Sequence, residues 1–204
     1  IVTGSLGNAI GLIGSGSRRN RVDGNSINNC VGFGVFVAGG AHRNTITRNR
    51  TTSNGIELVG VTVRSNHNIV AQNHAEGCGD NGISITADYC VVVGNHCYAN
   101  QLTGLFLYGS FNTATGNVCL RNGQSGTGLA GIAVQPVFGG TGQFNSVTGN
   151  VCDDDQTALT QQNSIRIMDS SYTAWAAGQA ITAGTYRVAG VRVYKAAGGG
   201  TTGS

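Results

Sequence analysis

The sequence is built on one six-residue unit, Asn-x-apolar-x-x-Asn, which recurs through most of its length. Successive copies begin 24, 24, 22, 22 and 33 residues apart, and a Gly-rich stretch precedes the last copy. The six copies are NRVDGN (20–25), NTITRN (44–49), NIVAQN (68–73), CVVVGN (90–95), NTATGN (112–117) and NSVTGN (145–150), the fourth with Cys90 in place of the first Asn. A period in the twenties indicates a solenoid, in which each repeat buries its apolar face against the next repeat.

Each period carries two further strand signals. One is a Gly-apolar-x-apolar segment, and the other is a short segment after the second Asn of each unit. The first signal reads GVFV (34–37), GIEL (55–58), GISI (82–85), GLFL (104–107) and GIAV (131–134), with SIRI (164–167) as a relaxed copy. Because apolar residues that alternate with period two are typical of strands, the sequence predicts an all-β, right-handed parallel β-helix of about six to seven coils, each of 22–24 residues with three short strands. A β-sandwich also uses short strands, but it does not require the same residue type in every period.

Alignment of the periods predicts which side chains stack inside the β-helix. We expect three inward columns and one ladder of corner asparagines whose side chains bond from coil to coil, as stacked amides do in cross-β structure. The columns are Val22, Ile46, Val70, Val92, Ala114 and Val147; Val35/Val37, Ile56/Leu58, Ile83/Ile85, Leu105/Leu107 and Ile132/Val134; and Ile27, Thr51, Ala75, Cys97, Cys119 and Cys152. The predicted ladder is Asn25, Asn49, Asn73, Asn95, Asn117 and Asn150.

Composition and charge exclude several classes of protein. Only 10% of residues are charged and the net charge is +3, which does not fit a disordered chain. Seven arginines lie between Arg18 and Arg64, but a β-helix disperses them over separate coils, so we expect no nucleic-acid partner. No apolar run approaches the roughly 20 residues that span a bilayer, so we expect no membrane insertion. The chain begins within a repeat and without an export signal, so we interpret it as a fragment or a processed product.

The six cysteines fit the same interpretation. Three of them occupy one inward column and Cys90 replaces a corner asparagine, which favours buried thiols that pack as small apolar residues. A disulfide between stacked cysteines such as Cys97 and Cys119 stays open. The C-x-x-C pairs of a zinc site are absent, and we expect no metal and no cofactor.

The repeat ends near Ser170, and the residues that follow do not continue its pattern. We predict a β-helix over residues 1–170 and a small β module over residues 171–204, with strands around Tyr186–Val188 and Val191–Lys195. A module of about 30 residues has too little core to be stable alone. It is therefore expected to serve docking, trimerisation or carbohydrate binding.

The repeats N-x-I-x-x-N and N-G-I-x-L resemble those of the pectate-lyase-like right-handed β-helix proteins over roughly residues 8–170. That group includes polysaccharide lyases, mannuronan epimerases and bacteriophage tailspikes. The closing coil DDDQTALTQQNSIRI (153–167) and the tail from Trp175 to Gly203 resemble the ends of phage tail proteins. The D-P-H tripeptide of the epimerases is absent, which counts against that branch.

The resemblance implies the C-terminal fragment of a bacteriophage tailspike. Such a protein would be a homotrimer in the virion tail that acts extracellularly, and it would bind and degrade bacterial surface polysaccharide. Two alternatives stay open, a secreted monomeric polysaccharide lyase or hydrolase and a structural or adhesive β-helix without catalysis. The sequence leaves open whether the protein is an enzyme; if it is, we expect a polysaccharide depolymerase.

Outward residues on the strand after each second Asn are the candidate site. We expect Arg50, His74 and His96 to stack in successive coils, with Glu76 and Tyr98 two residues further along each strand. Glu76 and Asp80 are the candidate carboxyl pair of a hydrolase, whereas His74 and His96 are candidate bases of a lyase. Arg50, Tyr98 and Trp175 are the candidate sugar-binding residues. A solvated surface without a catalytic role is the alternative, and Asp153–Asp155 is interpreted as a charged turn and not as a metal site.

A second surface is predicted from the outward residues of the strand inside each Asn-x-apolar-x-x-Asn unit. Between Ile69 and Val93 these residues are apolar and smooth, as in Ile69, Ala71, Val91 and Val93. Because a monomer would expose this patch to water, we predict that another copy of the chain covers it at a trimer axis. The alternative is that β-branched residues simply suit strands.

Overall fold

The structure is a computed structural model that describes residues 1–52, 65–126, 129–135, 145–156, 159–161 and 163–166 in full. Residues 61–63 and 167 and five C-terminal strands are described by their backbone. The chain forms two compact units, Ile1–Ile167 and Met168–Ser204. In the described part of the chain, no helix has the length and apolar character required to cross a membrane.

Within the described residues, the first unit has twenty short strands. In chain order they are β1 (Val2–Thr3), β2 (Ile10–Ile13), β3 (Arg21–Asp23), β4 (Ser26–Asn28), β5 (Val35–Ala38), β6 (Thr45–Thr47), β7 (Arg50–Thr52), β8 (Val61–Val63), β9 (Ile69–Ala71), β10 (His74–Glu76), β11 (Ile83–Ile85), β12 (Val91–Val93), β13 (His96–Tyr98), β14 (Leu105–Tyr108), β15 (Thr113–Thr115), β16 (Val118–Leu120), β17 (Ala130–Gln135), β18 (Ser146–Thr148), β19 (Val151–Asp153) and β20 (Asn163–Ile167).

Every third strand belongs to the same sheet, and all pairings in the first unit are parallel. Sheet 1 has the order β1-β4-β7-β10-β13-β16-β19, sheet 2 the order β2-β5-β8-β11-β14-β17-β20, and sheet 3 the order β3-β6-β9-β12-β15-β18. The chain passes from sheet 2 to sheet 3 to sheet 1 and then enters the next coil. Parallel strands joined by crossovers of one hand give the right-handed parallel β-helix that the repeat predicts, and the fold prediction is confirmed.

The inward columns run along the three sheets as predicted, with one exception. Val22, Ile46, Val70 and Val92 are paired in register on sheet 3, and Ile27 through Cys152 are paired in register on sheet 1. Nearly all of these side chains are buried. Side chains of the same kind meet at each coil because in-register parallel pairing places equivalent positions next to each other, about 4.8 Å apart.

The exception is the coil that contains GIEL (55–58). Val61–Val63 pairs with both β5 and β11, so this segment takes the place predicted for Ile56 and Leu58, which lie outside the described residues. The prediction was wrong because Gly60–Val63 (GVTV) carries the same Gly-apolar-x-apolar pattern five residues after GIEL, and it also has the spacing to sheet 3 found in the two following coils. Six positions separate Val63 from Ile69, as they separate Ile85 from Val91 and Leu107 from Thr113.

Within the described residues, each of the three corners between sheets has a recurring residue with positive φ, and in most coils the next residue is a buried Asn or Cys. The recurring positive-φ residue lies at 19, 43, 67, 89 and 111 in the first corner, between sheets 2 and 3; at 24, 48, 72, 94, 116 and 149 in the second corner, between sheets 3 and 1; and at 4, 29, 77, 99 and 121 in the third corner, between sheets 1 and 2. This left-handed conformation turns the chain, and the next residue, an Asn in most coils, contributes its amide to a ladder.

The predicted asparagine ladder lies at the second corner and is confirmed. Asn49 donates from its backbone N–H and from Nδ2 to Asn73 Oδ1, at 2.9 and 3.0 Å, and Asn73 does the same to Asn95 Oδ1, at 2.9 and 3.0 Å. Nδ2 of Asn73 also donates to the carbonyl of Ile46 at 2.9 Å. Similar ladders run along the first corner through Asn44 and Asn68 and along the third corner through Asn100 and Asn122. These bonds satisfy backbone groups that the turns would otherwise bury without a partner.

The cysteines lie inside the β-helix as free thiols, five of them buried and Cys152 half-buried. Cys90 takes the place of an Asn in the first-corner ladder, where its backbone N–H donates to Asn112 Oδ1 at 2.8 Å. Burial is the main cause that raises the pKa of the Cys78 thiol to about 12 and that of Cys90 to about 11. These thiols are therefore protonated at neutral pH.

The second unit has five strands, β21 (Thr173–Ala174), β22 (Ala180–Ile181), β23 (Tyr186–Ala189), β24 (Arg192–Lys195) and β25 (Gly200–Thr201). β23 and β24 form an antiparallel pair that β21 joins, and β22 pairs with β25. The domain boundary at residues 170 and 171 and a docking, trimerisation or carbohydrate-binding role for this segment stay predictions.

Candidate functional site

The candidate site is an outward surface of sheet 1, which we call the ledge and define as Arg50, His74, Glu76, His96 and Tyr98. Strands β7, β10 and β13 lie side by side, so that His74 is in register with both Arg50 and His96, and Glu76 is in register with Tyr98. The structure therefore brings together these five predicted site residues. Their chemical roles stay predictions.

Two imidazoles form the centre of the ledge. Nδ1 of His74 lies 3.0 Å from Nδ1 of His96, and Nε2 of His74 lies 3.0 Å from Glu76 Oε2. An ionised carboxylate only accepts hydrogen bonds, so Nε2 of His74 carries the proton and its Nδ1 is left as an acceptor. With both rings neutral, His96 donates from Nδ1, and its Nε2 holds the lone pair.

Burial, and next the neighbouring His74, lower the pKa of His96, although Glu76 acts in the opposite direction. Burial acts because it disfavours the charged imidazolium, and His74 because two cations would repel each other at this distance. His96 is therefore neutral at neutral pH. A neutral imidazole with a lone pair on Nε2 can accept a hydrogen bond from a hydroxyl group or take up a proton.

Glu76 accepts two hydrogen bonds at one carboxylate oxygen. Its Oε2 accepts from Arg50 Nη2 at 2.8 Å as well as from His74. Asp80 has a different partner, since its Oδ1 accepts from the backbone N–H of Asn81 at 2.7 Å and holds the turn there. A glycosidase pair needs one protonated carboxyl group that can donate its proton, whereas Glu76 Oε2 accepts from two donors. The described contacts therefore give no support to a hydrolytic Glu76–Asp80 pair.

Tyr98 has neighbours that the sequence did not predict. Its hydroxyl oxygen accepts from Arg121 Nη1 at 2.9 Å, and the Arg121 guanidinium carbon lies 5.6 Å from the centre of the Tyr98 ring. Arg121 is paired in turn with Asp155, with Nη2 and Oδ2 at 2.8 Å, and this hydrogen bond lowers the pKa of the Asp155 carboxyl group. Arg121 therefore covers part of the Tyr98 ring and adds a second cation beside the ledge.

Arg121 was missed because its position in the repeat is not occupied by the same residue type in other coils. It occupies the positive-φ position of the third corner, where Ala99 stands one coil earlier. The signal that could have found it is its place directly before Asn122, since the residue before each corner Asn projects outward.

Two other predicted features have separate outcomes. Trp175 lies outside the described residues, and its sugar-binding role stays a prediction. Asp153 ends strand β19 and Asp154 and Asp155 follow it outside the strands, and the interpretation of the three as a charged turn without a metal stays a prediction. Although burial opposes the shift, hydrogen bonds from the backbone of Gln161, from Gln156 and from Thr160 lower the pKa of the Asp154 carboxyl group.

Comparison with known proteins gives a family and a fold. A family described as "Periplasmic copper-binding protein (NosD)" matches residues 7–190. No curated protein sequence matches the chain. Among solved structures, the A-module of a mannuronan C-5 epimerase from Azotobacter vinelandii is similar at a TM-score of 0.51 and 15% identity, over 74% of this chain and 51% of the module. The chain thus spans about half of that module, and at this identity the likeness shows the parallel β-helix fold alone.

Proposed function

The chain belongs to the family described as periplasmic copper-binding protein (NosD), and from this premise we propose that it is an extracytoplasmic β-helix protein that binds polysaccharide at the ledge. The observation that carries the proposal is the cluster of a neutral imidazole, a second imidazole, a carboxylate and a cation on one outward surface. Hydroxyl groups of sugars donate and accept hydrogen bonds, and the ledge offers both kinds of partner on three neighbouring strands. The likeness of fold to an epimerase module supports a polymer of sugars as the partner.

The chemistry that these groups support best is removal of a proton. Nε2 of His96 is the candidate base, Arg50 can pair with the carboxylate of an acidic sugar, and His74 with Glu76 fixes the orientation of the His96 ring. A base and a charge-neutralising partner are what a lyase or an epimerase requires. Binding without a chemical step uses the same contacts, so binding is the primary claim and proton abstraction its extension.

The family description names copper. Copper is held by several imidazole or sulfur ligands, but the described residues contain no group of three or more His, Cys, Asp and Glu side chains that could hold a metal ion. His74 and His96 supply two nitrogens, while Glu76 contacts the far nitrogen of His74 and is paired with Arg50. The buried thiols of Cys78 and Cys90 are protonated at neutral pH. The described residues therefore do not fit a copper centre, and no step of the proposal uses copper.

A titration tests this conclusion. We expect isothermal titration of the protein with Cu²⁺ at pH 7 to show no binding tighter than that of an ordinary pair of surface histidines. The control is the double variant His74→Gln, His96→Gln, which removes both imidazoles. A tight site in the wild-type protein that this variant lacks would contradict the conclusion and would place copper on the ledge.

Binding to polysaccharides tests the main proposal. Affinity electrophoresis in gels that contain purified bacterial capsular or uronate-rich polysaccharides is expected to retard the wild-type protein, and His96→Gln and Arg50→Gln are expected to weaken that retardation. Thr113→Ala, on the outer surface of sheet 3, is the matched control. Unchanged retardation in both ledge variants would remove the ledge, and absence of retardation in every polysaccharide would remove the function. Release of unsaturated uronate, followed by absorbance, tests proton abstraction separately.

The second candidate function is that of a phage tailspike in a virion tail, which binds and degrades bacterial surface polysaccharide as a trimer. The observation that favours it is the apolar outer surface of sheet 3, where Ile69 and Val91 are 41% and 40% exposed in neighbouring coils. A trimer would bury these side chains. Light scattering at micromolar concentration is expected to give three times the chain mass if this candidate holds, and a monomer would overturn it in favour of a secreted monomeric protein.

A further inference from the structure

A second outward surface lies at the first corner, between sheets 2 and 3, whereas the ledge lies on sheet 1. Five successive positive-φ positions there are occupied by Arg19, Arg43, His67, Tyr89 and Phe111, with φ between 56° and 59°. All five side chains are exposed. We call this column the ridge. Its first two members are cations and its last three are rings.

The residue types on the ridge are unexpected for their backbone conformation. Left-handed φ costs a residue with a Cβ atom about 1–2 kcal/mol, and glycine avoids this cost. At the second corner, four of the six equivalent positions are glycines, Gly24, Gly94, Gly116 and Gly149. The first corner has the same backbone and no glycine at any of its five described positions. Strained residues that a simpler residue could replace are a reason to look for a function.

The rings of the ridge form one continuous stack. The ring centres of His67 and Tyr89 are 5.0 Å apart with an angle of 9° between the planes, and those of Tyr89 and Phe111 are 4.9 Å apart with an angle of 1°. Parallel rings in contact are separated by about 3.5–4 Å, so neighbouring rings must be displaced sideways by roughly 3 Å. Neighbouring rings therefore overlap only in part, and part of each ring face stays exposed to solvent. This agrees with the 48% exposure of Tyr89 and the 41% exposure of Phe111.

The cationic end of the ridge is reinforced by its neighbours in sequence. Arg18 and His42 precede Arg19 and Arg43, and Arg18 is exposed as well. The one carboxylate in the equivalent position is Asp88, whose Oδ1 accepts from the backbone N–H of Ser110 at 2.7 Å and so belongs to the corner itself. The ridge thus passes from a positively charged end to an aromatic end.

We propose that the ridge binds an acidic polysaccharide chain that lies parallel to the axis of the β-helix. Each coil advances by about 4.8 Å, which is close to the length of one sugar in an extended chain, so that successive sugars meet equivalent ridge positions. The C–H groups of a sugar pack on the open part of each ring, and the guanidinium groups of Arg19 and Arg43 pair with carboxylates in the two-bond geometry that arginine favours. The stack holds the rings rigid before binding, which lowers the entropy lost on binding.

A single-stranded nucleic acid fits the ridge less well. Its bases need open aromatic faces on which to stack, whereas the rings here already cover one another in part. A sugar needs only the small open patch that every coil provides. The proposal rests on the proposed function for the class of partner, but it assigns a site separate from the ledge.

The test compares ridge variants with a matched corner variant. Tyr89→Asn, Phe111→Asn and Arg43→Asn keep the backbone, because Asn accepts positive φ better than most residues. Gln72→Asn makes the same change at the second corner and is the control. Affinity for polygalacturonate is measured by calorimetry at low salt, with dextran as the neutral polymer and oligothymidylate as the nucleic acid. The urea midpoint of each variant confirms that it is folded.

We expect each ring variant to weaken binding of polygalacturonate about five- to tenfold, the loss that removal of one aromatic contact produces. Arg43→Asn should weaken binding and reduce its dependence on salt, while Gln72→Asn should leave binding unchanged. Dextran should bind more weakly than polygalacturonate.

Three results would overturn the proposal. They are wild-type affinity in all three ridge variants, an equal loss in Gln72→Asn, and a preference for oligothymidylate. His96→Gln separates this proposal from the proposed function. Loss of binding in that variant together with normal binding in the ridge variants would leave the ledge and remove the ridge. A wild-type protein that binds neither polygalacturonate nor any capsular polysaccharide would remove both.

Discussion

The first corner and the second corner have the same backbone, a residue with positive φ followed by an inward amide, yet their outward side chains differ in kind. The second corner has four glycines in six positions and an unbroken column of asparagines, whereas the first has arginines, a histidine, a tyrosine and a phenylalanine and has Cys90 in its ladder. One turn geometry thus serves two purposes. The inward residue stabilises the fold at both corners, and the outward residue is free to vary.

The largest expected effect tests the inward half of this comparison. Asn73→Ala removes four hydrogen bonds, those from Asn49 and those to Ile46 and Asn95, and leaves buried polar groups without partners. Because each such group costs about 1–3 kcal/mol, we expect a loss of at least about 3 kcal/mol in the free energy of unfolding, measured by urea denaturation.

Asn20→Ala is the matched control for that change. Asn20 is exposed and only donates to Asn44, so its replacement should cost well under half as much. Equal losses in the two variants would show that the ladder does not depend on burial.

The next effect measures the cost of the shared backbone. Gly116 has φ +63, and no atom lies within 4 Å of a Cβ placed on it, so that Gly116→Ala adds conformational strain without a clash. We expect a loss of about 1 kcal/mol in the free energy of unfolding. A neutral result would mean that positive φ is not costly at these corners, and the contrast between glycine and aromatic residues would lose its significance.

A smaller effect is expected for Tyr89→Gly. The change relieves positive φ but removes two ring contacts, with His67 and with Phe111, each worth about 0.5–1.5 kcal/mol. The two contributions nearly cancel, so the free energy of unfolding should change by less than about 1 kcal/mol. A clear gain in stability would show that the stack does not offset the strain of the ridge.

The smallest effect concerns Arg48, an exception among the glycines of the second corner. A hydrogen bond from Arg48 is the main cause that lowers the pKa of Asp23, and Thr47 and Arg21 act in the same direction. A carboxyl group with a lowered pKa contributes stability above the pKa of the unfolded chain, and this contribution is lost as pH falls. Arg48→Gly should therefore raise the pKa of Asp23 in an NMR titration. Its stability relative to wild type should improve as pH falls below about 4. An unchanged Asp23 titration would contradict the assignment.

The repeat predicts the fold and most of the interior because inward positions tolerate few residue types. Asn49 and Asn73 occupy the same position in successive repeats. Because equivalent strands pair in register, the same position in the repeat is also the same position in the coil. The strand Val61–Val63 was misplaced because nearby GIEL carries the same pattern, and the pairing of Val61 with Val35 and Ile83 identifies which of the two segments is the strand.

The ledge was predictable and the ridge was not, for one physical reason. His74 and His96 lie on strands, where alternation fixes the outward direction. Tyr89 and Phe111 have the same positive φ as Arg19 but a different residue type. Without glycine at these positions, the sequence gives no signal that they are equivalent. The pairing of Arg121 with Tyr98 was hidden in the same way, because it joins a corner to a strand of the preceding coil.

The second corner also has a consequence for how such a molecule can change its length. Because Asn73 and Asn95 are 22 residues apart in equivalent places, excision of residues 73–94 would join Gln72 directly to Asn95 and restore the same turn. Strand β13 would then follow β9 and take the neighbour that β10 has now, with no change in register elsewhere. The protein is therefore divisible into interchangeable lengths, and a surface group such as His74 can be gained or lost with a whole coil while the cross-section stays as it is.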